Sequence, residues 1–159
     1  MMEGKPLRAS RVTLSTFMQP EHANLRGYVH GGWIMKLCDE AGGLAAIRHA
    51  RQPCVTVAID NMTFREPVRL GDLLTLNAEL TWAGRTSMEV EVKVTAENPL
   101  TGAQTHTNTA YFVYVAIDER ERPTPVPPLI AETEAERARM AVAHERQAYR
   151  LRQRGTTGG

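Results

Sequence analysis

Residues 22–46 read HANLRGYVHGGWIMKLCDEAGGLAA, a polar loop that leads through a Gly-Gly pair into an apolar segment. From Gly31 onward, apolar side chains recur at the i, i+3, i+4 and i+7 spacing of an amphipathic helix: Ile34, Leu37, Cys38, Ala41 and Ala45. Pro53 cannot continue a helix. The pattern therefore predicts a helix from Gly31 to about Ala50.

Asp39 lies in the middle of this predicted helix. A carboxylate among methionine, leucine and alanine side chains lowers the stability of the fold unless it is solvated, paired with a cation or retained for a function. Helical spacing places Asp39 on one stripe with Met35, Gly42 and Ala46, and Lys36 is the one cation close to it on the helix. A partly desolvated carboxylate has a raised pKa, which suits a general base. A solvated position at the helix rim and a salt bridge with Lys36 remain the open alternatives.

The start of the predicted helix carries a second candidate feature, because Gly31 and Gly32 follow His30 there. First-turn N–H groups have no acceptor within a helix, and together with the helix dipole they could hold a developing oxyanion. The same glycines could equally serve only to allow a tight turn into the helix. Asn24, in the preceding loop, could cap that loop or donate to a carbonyl. His30 could shuttle a proton or only hydrogen-bond locally.

The rest of the chain body is strand-like, with turn residues between the segments. Strands are predicted at residues 10–18, 54–64, 73–82, 85–97 and 103–118. The segment 54–64 is apolar on both faces, which is typical of a strand buried on both sides or lying at an interface. Residues 88–94 alternate apolar and polar, as in a strand with one face in solvent.

One helix combined with long antiparallel strands predicts an α+β fold in which the sheet curls around the helix. Gly42 and Gly43 are expected to let the sheet approach that helix closely. Residues 10–118 are predicted to form this domain, after a leader at 1–9. The segment ERERPTPVPPLI (119–130) is expected to be a linker, because proline cannot continue a sheet. Residues 131–159 are expected to form a solvated C-terminal helix and tail, with a subunit-bridging helix as the alternative.

The composition excludes several classes of protein. The 159 residues, 42% apolar and 23% charged, fit one globular domain, and a net charge of +1 argues against a nucleic-acid binder. Cys38 and Cys54 form no CxxC pattern, and the histidines have no ligand spacing, so no metal site is predicted. The start lacks an apolar signal segment, and no apolar run approaches the ~20 residues of a membrane span. A cytoplasmic location is therefore expected.

Three blocks of the sequence are MQPEHANLRGYVHGGWIMKLCDEAGGLAAIRHA (18–50), VTVAIDNMTFREPVRLGD (55–72) and WAGRTSMEVEVKV (82–94). In order and spacing they resemble the acyl-CoA hydrolase family of hotdog-fold thioesterases, over about residues 10–118. The resemblance implies a hotdog fold, in which an antiparallel sheet wraps around one long helix. It also implies that two such units pair edge to edge, with the active site at their interface.

The resemblance assigns roles to the residues of the opening stretch. Asn24, in "AN" ahead of "GxVHGG", matches the family's catalytic asparagine, and Asp39, in "KLxDE", matches its catalytic aspartate. The two would come from opposite subunits of a homodimer, which similar proteins often assemble further into tetramers or hexamers. Asp39 would activate water or attack the thioester carbonyl directly. Asn24 and the backbone N–H groups at His30, Gly31 and Gly32 would polarise that carbonyl.

The resemblance also implies a binding region for coenzyme A, whose phosphates need cationic or amide donors. The turn Gly84-Arg85-Thr86-Ser87 resembles the family's CoA-contacting turn, with Arg85 the first candidate for a phosphate partner. No separate cofactor is implied, since coenzyme A is part of the substrate. A non-catalytic acyl-CoA or lipid-binding dimer is the alternative, and a hotdog enoyl hydratase or dehydratase ranks below it.

Overall fold

The computed structural model describes residues 2–60 and 62–157, with side chains as far as residue 155. Met1, Asn61 and residues 158–159 lie outside the described residues; they fall in the predicted leader, the predicted strand 54–64 and the predicted tail. The elements in chain order are β1 (Lys5–Pro6), β2 (Val12–Phe17), α1 (Gly31–Ala50), β3 (Cys54–Ile59), β4 (Leu73–Ala83), β5 (Ser87–Glu97), β6 (Gln104–Ala116), β7 (Leu129–Ile130) and α2 (Glu134–Thr157). Short 3-10 turns lie at Leu7–Ser10 and Pro20–His22.

Five of the strands form one antiparallel sheet in the order β2-β4-β5-β6-β3. The long strands β4, β5 and β6 follow one another as hairpins, and β2 and β3 lie at the two edges. The sheet curls around α1, which confirms the predicted α+β architecture. β3 ends at Ile59, earlier than the predicted residue 64, because the chain turns there into a loop that places Phe64 against Gly31.

Helix α1 runs over the predicted residues and is buried along the predicted apolar face. His30 caps its start, and Arg51 ends it in the left-handed conformation, with φ of 55°. Its buried side chains pack against inward-facing leucines, valines and Phe112 of β4, β5 and β6. Each aliphatic or aromatic side chain that is fully buried in this way stabilises the fold by about 1.5–3 kcal/mol.

The close approach of sheet and helix occurs at Gly42. A Cβ atom there would lie 2.5 Å from the hydroxyl oxygen of Tyr114 on β6. At Gly43 the nearest atom would be a ring carbon of Tyr114 at 3.7 Å, an ordinary contact distance. The prediction is therefore confirmed at Gly42 and wrong at Gly43, because residue 43 points beside the tyrosine ring rather than onto it.

Helix α2 lies across the outer face of the sheet. Its Ala143 is fully buried, and its Arg146 stacks over the ring of Tyr111 on β6, 3.8 Å from the ring centre. Arg146 and Arg150 both bind the carboxylate of Glu89 on β5, which is fully buried. The expectation of a solvated helix is therefore wrong for the face of α2 that meets the sheet, while most of its other residues are exposed. The expected solvent-facing side of β5 is covered at Glu89 and exposed at Lys93. The arginines of α2 neutralise the carboxylates on the outer face of the sheet, so the helix can pack against that face.

The two segments outside the predicted domain meet each other. β1, in the predicted leader, pairs in parallel with β7, in the predicted linker. Lys5 donates from Nζ to the backbone carbonyl of His49, 2.8 Å away, so the pair is attached near the end of α1. None of the described helices is both long enough and apolar enough to span a membrane.

His49 joins α1 to the Pro-rich segment. Its side chain is fully buried, with Nε2 2.7 Å from the carbonyl oxygen of Pro127, and no partner for Nδ1 lies within the described residues. Burial lowers the pKa of His49 below its ordinary value of 6.5. The unfolded chain thus takes up a proton near pH 6.5 that the folded chain does not bind. Stability is therefore lost as the pH falls below that value.

Chemical denaturation between about pH 7.5 and 5.5 should show this loss, at up to about 1.4 kcal/mol per pH unit below pH 6.5. His49→Gln keeps a donor for the Pro127 carbonyl but does not titrate, so its slope should be flatter than the native one. His144→Gln, on the exposed side of α2, is the matched control and should keep the native slope. Equal slopes for the native protein and His49→Gln would contradict the assignment.

Candidate active site

Asp39 is held on α1 by two hydroxyl groups of the sheet. Its Oδ1 accepts hydrogen bonds from Thr56 Oγ1 on β3, at 2.8 Å, and from the Tyr114 hydroxyl on β6, at 3.0 Å. The described residues offer no donor to Oδ2. Lys36 instead pairs with Glu40, at 2.6 Å, which excludes the predicted alternative of a Lys36–Asp39 salt bridge. The carboxylate is thus oriented through one oxygen, and its other oxygen is available to a ligand.

The groups around Asp39 stay protonated. Burial, and after it the charge of Asp39, raises the pKa of Tyr114 far above its ordinary value, so this phenol remains a hydrogen-bond donor. Burial raises the pKa of Cys38 to about 12 and that of Cys54 to about 11. Because a thiolate, not a thiol, is the effective nucleophile, neither cysteine suits nucleophilic catalysis near neutral pH. Tyr114, Cys38 and Cys54 are thus neutral neighbours of Asp39 near pH 7.

Asn24 lies in the loop ahead of α1, and its side chain both caps that loop and offers a donor. Its Oδ1 accepts from the backbone N–H groups of Arg26, at 2.8 Å, and Tyr28, at 3.2 Å. These two bonds fix which way the amide points. No acceptor for Nδ2 lies within residues 2–60 and 62–157, so that –NH₂ group is free to bind a carbonyl oxygen.

At the start of α1, two of the three predicted backbone donors are already paired. The His30 N–H donates to the carbonyl of His22, at 2.7 Å, so the prediction is wrong for that group. His30 accepts the Gly32 N–H through Nδ1, at 2.9 Å, so the histidine acts as the helix cap and Gly32 is already paired. The Trp33 N–H donates to the carbonyl of His30. In the described part of the chain, no acceptor faces the Gly31 N–H. The free backbone donor at this helix start is therefore that of Gly31.

Within one chain, the structure keeps these groups apart. Asp39 lies eight residues beyond Gly31, which is about 12 Å along the helix axis at 1.5 Å per residue. Oxyanion donors and a base must each lie about 3 Å from the reacting group. Asn24 lines a shallow cavity with Arg26 and His30 that does not include Asp39. Within one chain, the Gly31 N–H and the Asp39 carboxylate are therefore too far apart to contact one carbonyl group.

The strand β3, whose Thr56 binds Asp39, is an open sheet edge with exposed apolar side chains. On β3, Val55, Val57 and Ile59 are 41%, 53% and 42% exposed. The described residues pair β3 only with β6, which leaves its other edge without a strand. Met35, on the helix stripe of Asp39, is also exposed. An open strand edge beside exposed apolar side chains is typical of a protein–protein interface.

The turn Gly84–Ser87 joins β4 to β5 and is anchored by its backbone. Gly84 donates to the Ser87 carbonyl, at 2.8 Å, and the carbonyls of Arg85 and Thr86 accept from Val126 and Ala116. The Arg85 side chain is exposed, and the described residues give it no hydrogen bond or ion pair. Because Ala116 is two residues along β6 from Tyr114, the turn lies at the same end of the sheet as Asp39.

Comparison with known proteins places the chain in a family. The model of the thioesterase superfamily matches residues 26–103. The cytosolic acyl coenzyme A thioester hydrolase of Rattus norvegicus is 36% identical over 132 residues, 82% of this chain and 35% of that protein. The chain thus spans about a third of the length of that curated relative.

Two solved structures are similar along nearly their whole length. A hexameric acyl-CoA thioesterase has a TM-score of 0.91 and 35% identity, covering 96% of this chain and 97% of that one. The acyl-CoA hydrolase of Staphylococcus aureus, in complex with butyryl coenzyme A, coenzyme A and its disulfide, has a TM-score of 0.85 and 26% identity, covering 97% and 96%.

The Staphylococcus aureus enzyme has also been solved with alanine in place of an asparagine, an aspartate and a threonine. In its chain the aspartate follows the asparagine by 15 residues, and the threonine follows the aspartate by 17. The chain is similar to these proteins in sequence, and to the two solved structures also in fold. The chain therefore belongs to the thioesterase superfamily, with the hotdog-fold acyl-CoA hydrolases.

Proposed function

We propose that this chain hydrolyses the thioester of acyl-CoA to a free acid and coenzyme A. The observation that carries the proposal is the carboxylate of Asp39, oriented by Thr56 and Tyr114 through Oδ1 with Oδ2 free. Asn24, Asp39 and Thr56 also have the 15- and 17-residue separations of the three positions substituted in the Staphylococcus aureus hydrolase. A thioester hydrolase needs a base or nucleophile of this kind, together with donors to the carbonyl oxygen.

In the proposed reaction, Oδ2 of Asp39 acts at the thioester carbonyl carbon. Either it takes a proton from the water that attacks this carbon, or it attacks the carbon itself and forms an anhydride that water then hydrolyses. In both routes the C–S bond breaks and coenzyme A leaves as a thiolate, which takes the proton held by Asp39 in the first route and a proton from water in the second. The Asn24 amide and the Gly31 N–H would donate to the carbonyl oxygen as negative charge develops on it.

The two halves of this site would come from two subunits. The separation of about 12 Å between Gly31 and Asp39 along α1 supports this, since one carbonyl group cannot reach both within a protomer. Pairing through the open edge of β3 would cover its exposed valines and bring a second α1 alongside the first. The hexameric relative supports a further assembly of such dimers.

The anchored turn Gly84–Ser87 would hold the phosphates of coenzyme A, with Arg85 as the charged contact and Arg65 and Arg69 as lesser candidates. Arg85→Ala should then raise KM for acyl-CoA by about 5- to 20-fold and leave kcat nearly unchanged, because the contact is made equally in ground and transition states. The KM for an S-acyl pantetheine, which lacks the nucleotide phosphates, should not change. Arg137→Ala on α2 is the matched control, and an equal rise in KM for both substrates would contradict the assignment.

The activity itself is tested by the release of free thiol from a panel of acyl-CoAs of increasing chain length. The native protein is expected to release one thiol per thioester consumed, with some chain lengths strongly preferred. Binding of acyl-CoAs without any thiol release would overturn the proposal in favour of a non-catalytic binding protein.

A further inference from the structure

We infer that Tyr114 is a positioning residue for thioester hydrolysis, which holds Asp39 so that Oδ2 is the oxygen that meets the substrate. The inference rests on the proposed function and adds a residue to it. It also assigns a specific purpose to Gly42, whose missing side chain leaves the space that the Tyr114 hydroxyl occupies.

The first support is the way in which Tyr114 contacts Asp39. Its hydroxyl oxygen lies 3.0 Å from Oδ1 and 3.1 Å from the backbone carbonyl oxygen of the same residue. One group that touches both the side chain and the backbone of Asp39 restricts rotation of the carboxylate about its side-chain bonds. Thr56 binds the same Oδ1 from β3, at 2.8 Å. With both donors on Oδ1, the described residues leave Oδ2 for the reaction.

The second support is the packing of Tyr114 against α1. Gly42 lies one turn beyond Asp39, and a Cβ atom there would come within 2.5 Å of the hydroxyl and 3.2 Å of two ring carbons. Any other residue at position 42 must therefore displace the hydroxyl from Asp39. Gly43, next to it, faces only a ring carbon at 3.7 Å and could accept a methyl group. The tyrosine and the glycine thus form one unit around the carboxylate.

The third support is that the tyrosine is a dependable donor. It is buried, and burial together with the nearby carboxylate keeps its hydroxyl protonated. A group that keeps its proton throughout the working pH range can orient a neighbour but does not itself exchange a proton with substrate. Its role is therefore exerted through Asp39.

The inference is tested with Tyr114→Phe, which removes only the hydroxyl. Loss of a hydrogen bond to a charged group is expected to lower kcat by about 10- to 100-fold, with KM for acyl-CoA within about twofold of native. Tyr111→Phe is the matched control, because it removes a hydroxyl from the same strand on the opposite face, where it binds Glu91. That control should keep native kcat.

A double-mutant cycle separates positioning from general stability. In an Asp39→Ala background, Tyr114→Phe should change the remaining rate by less than about twofold, since there is no carboxylate left to orient. Gly42→Ala should lower kcat about as much as Tyr114→Phe does, whereas Gly43→Ala should not. These glycine variants test the inference independently of how well Tyr114→Phe folds.

The inference is overturned if Tyr114→Phe and Gly42→Ala both keep native kcat while Asp39→Ala abolishes turnover. It is equally overturned if Tyr114→Phe lowers the residual rate of Asp39→Ala further, because the tyrosine would then act by another route. Native turnover in Asp39→Ala itself would instead contradict the proposed function. Failure of the inference and failure of the proposed function therefore give different results.

Discussion

Asp39→Asn is expected to lower kcat for acyl-CoA hydrolysis by at least about a thousandfold and to leave the fold intact. Asparagine keeps the shape of the side chain and an oxygen that Thr56 and Tyr114 can still bind. It has neither the negative charge nor the basicity needed to activate water, and its amide cannot form an anhydride. The loss should therefore fall on kcat, because the missing group acts in the transition state.

The measurement is the steady-state release of thiol from the preferred acyl-CoA, with thermal unfolding to verify that the variant is folded. Glu40→Gln is the matched control, since Glu40 is the next residue on α1 and its carboxylate pairs with Lys36 in solvent. That variant should keep native kcat and KM. If Asp39→Asn kept more than about a tenth of native kcat, the carboxylate would not be the catalytic group.

The helix and its acidic residue could be predicted from the sequence because both depend on local patterns. The apolar spacing after Gly31 defines the buried face of α1, and the positions of His30 and Pro53 mark its ends. The same spacing places Asp39 beside that buried face, where the structure has it. The apolar spacing of a helix can be recognised in a short stretch of sequence, and the sheet packs against the helix face that this spacing predicts.

The partners of Asp39 could not be predicted in this way. Thr56 and Tyr114 lie on β3 and β6, far from Asp39 in sequence, and a β-bulge after Thr56 changes the register between them. Which strand residues face the middle of α1 depends on this pairing. The one signal in the sequence was the alternation of side chains along a strand. Tyr114 is two residues from Phe112, so it lies on the same, buried side of β6.

The sequence predicted that helix α2 exists but not that it packs against the sheet. Its sequence has few large apolar residues, which is typical of a solvated helix. The structure instead attaches one face of it to the sheet through charge, with Arg146 and Arg150 on the carboxylate of Glu89. A search for apolar periodicity does not detect such ion pairs. The acidic partner lies on a strand whose alternating apolar and polar residues are typical of a strand with one face in solvent. Arg150 also binds Asp60, just after β3, which ties the helix to the edge strand of the candidate site.

The second large effect concerns the division of the site between subunits. Asn24→Ala alone should lower kcat by about 100- to 1,000-fold, because it removes a donor to the developing oxyanion. Its Nδ2 has no acceptor among the described residues, and the cavity that Asn24 lines does not include Asp39. If the two residues act together only across an interface, each variant contains one intact half-site. The two inactive variants should then complement each other.

The most direct measurement is therefore the kcat of oligomers formed when the Asn24→Ala and Asp39→Asn chains are co-expressed in equal amounts. With random pairing, half of the dimers are mixed, and each mixed dimer has one site in which both residues are native. The shared-site account predicts recovery to about a quarter of the native activity per protomer, from parents that are each nearly inactive. Activity that stays at the level of the two parents, in oligomers shown to contain both chains, would contradict it.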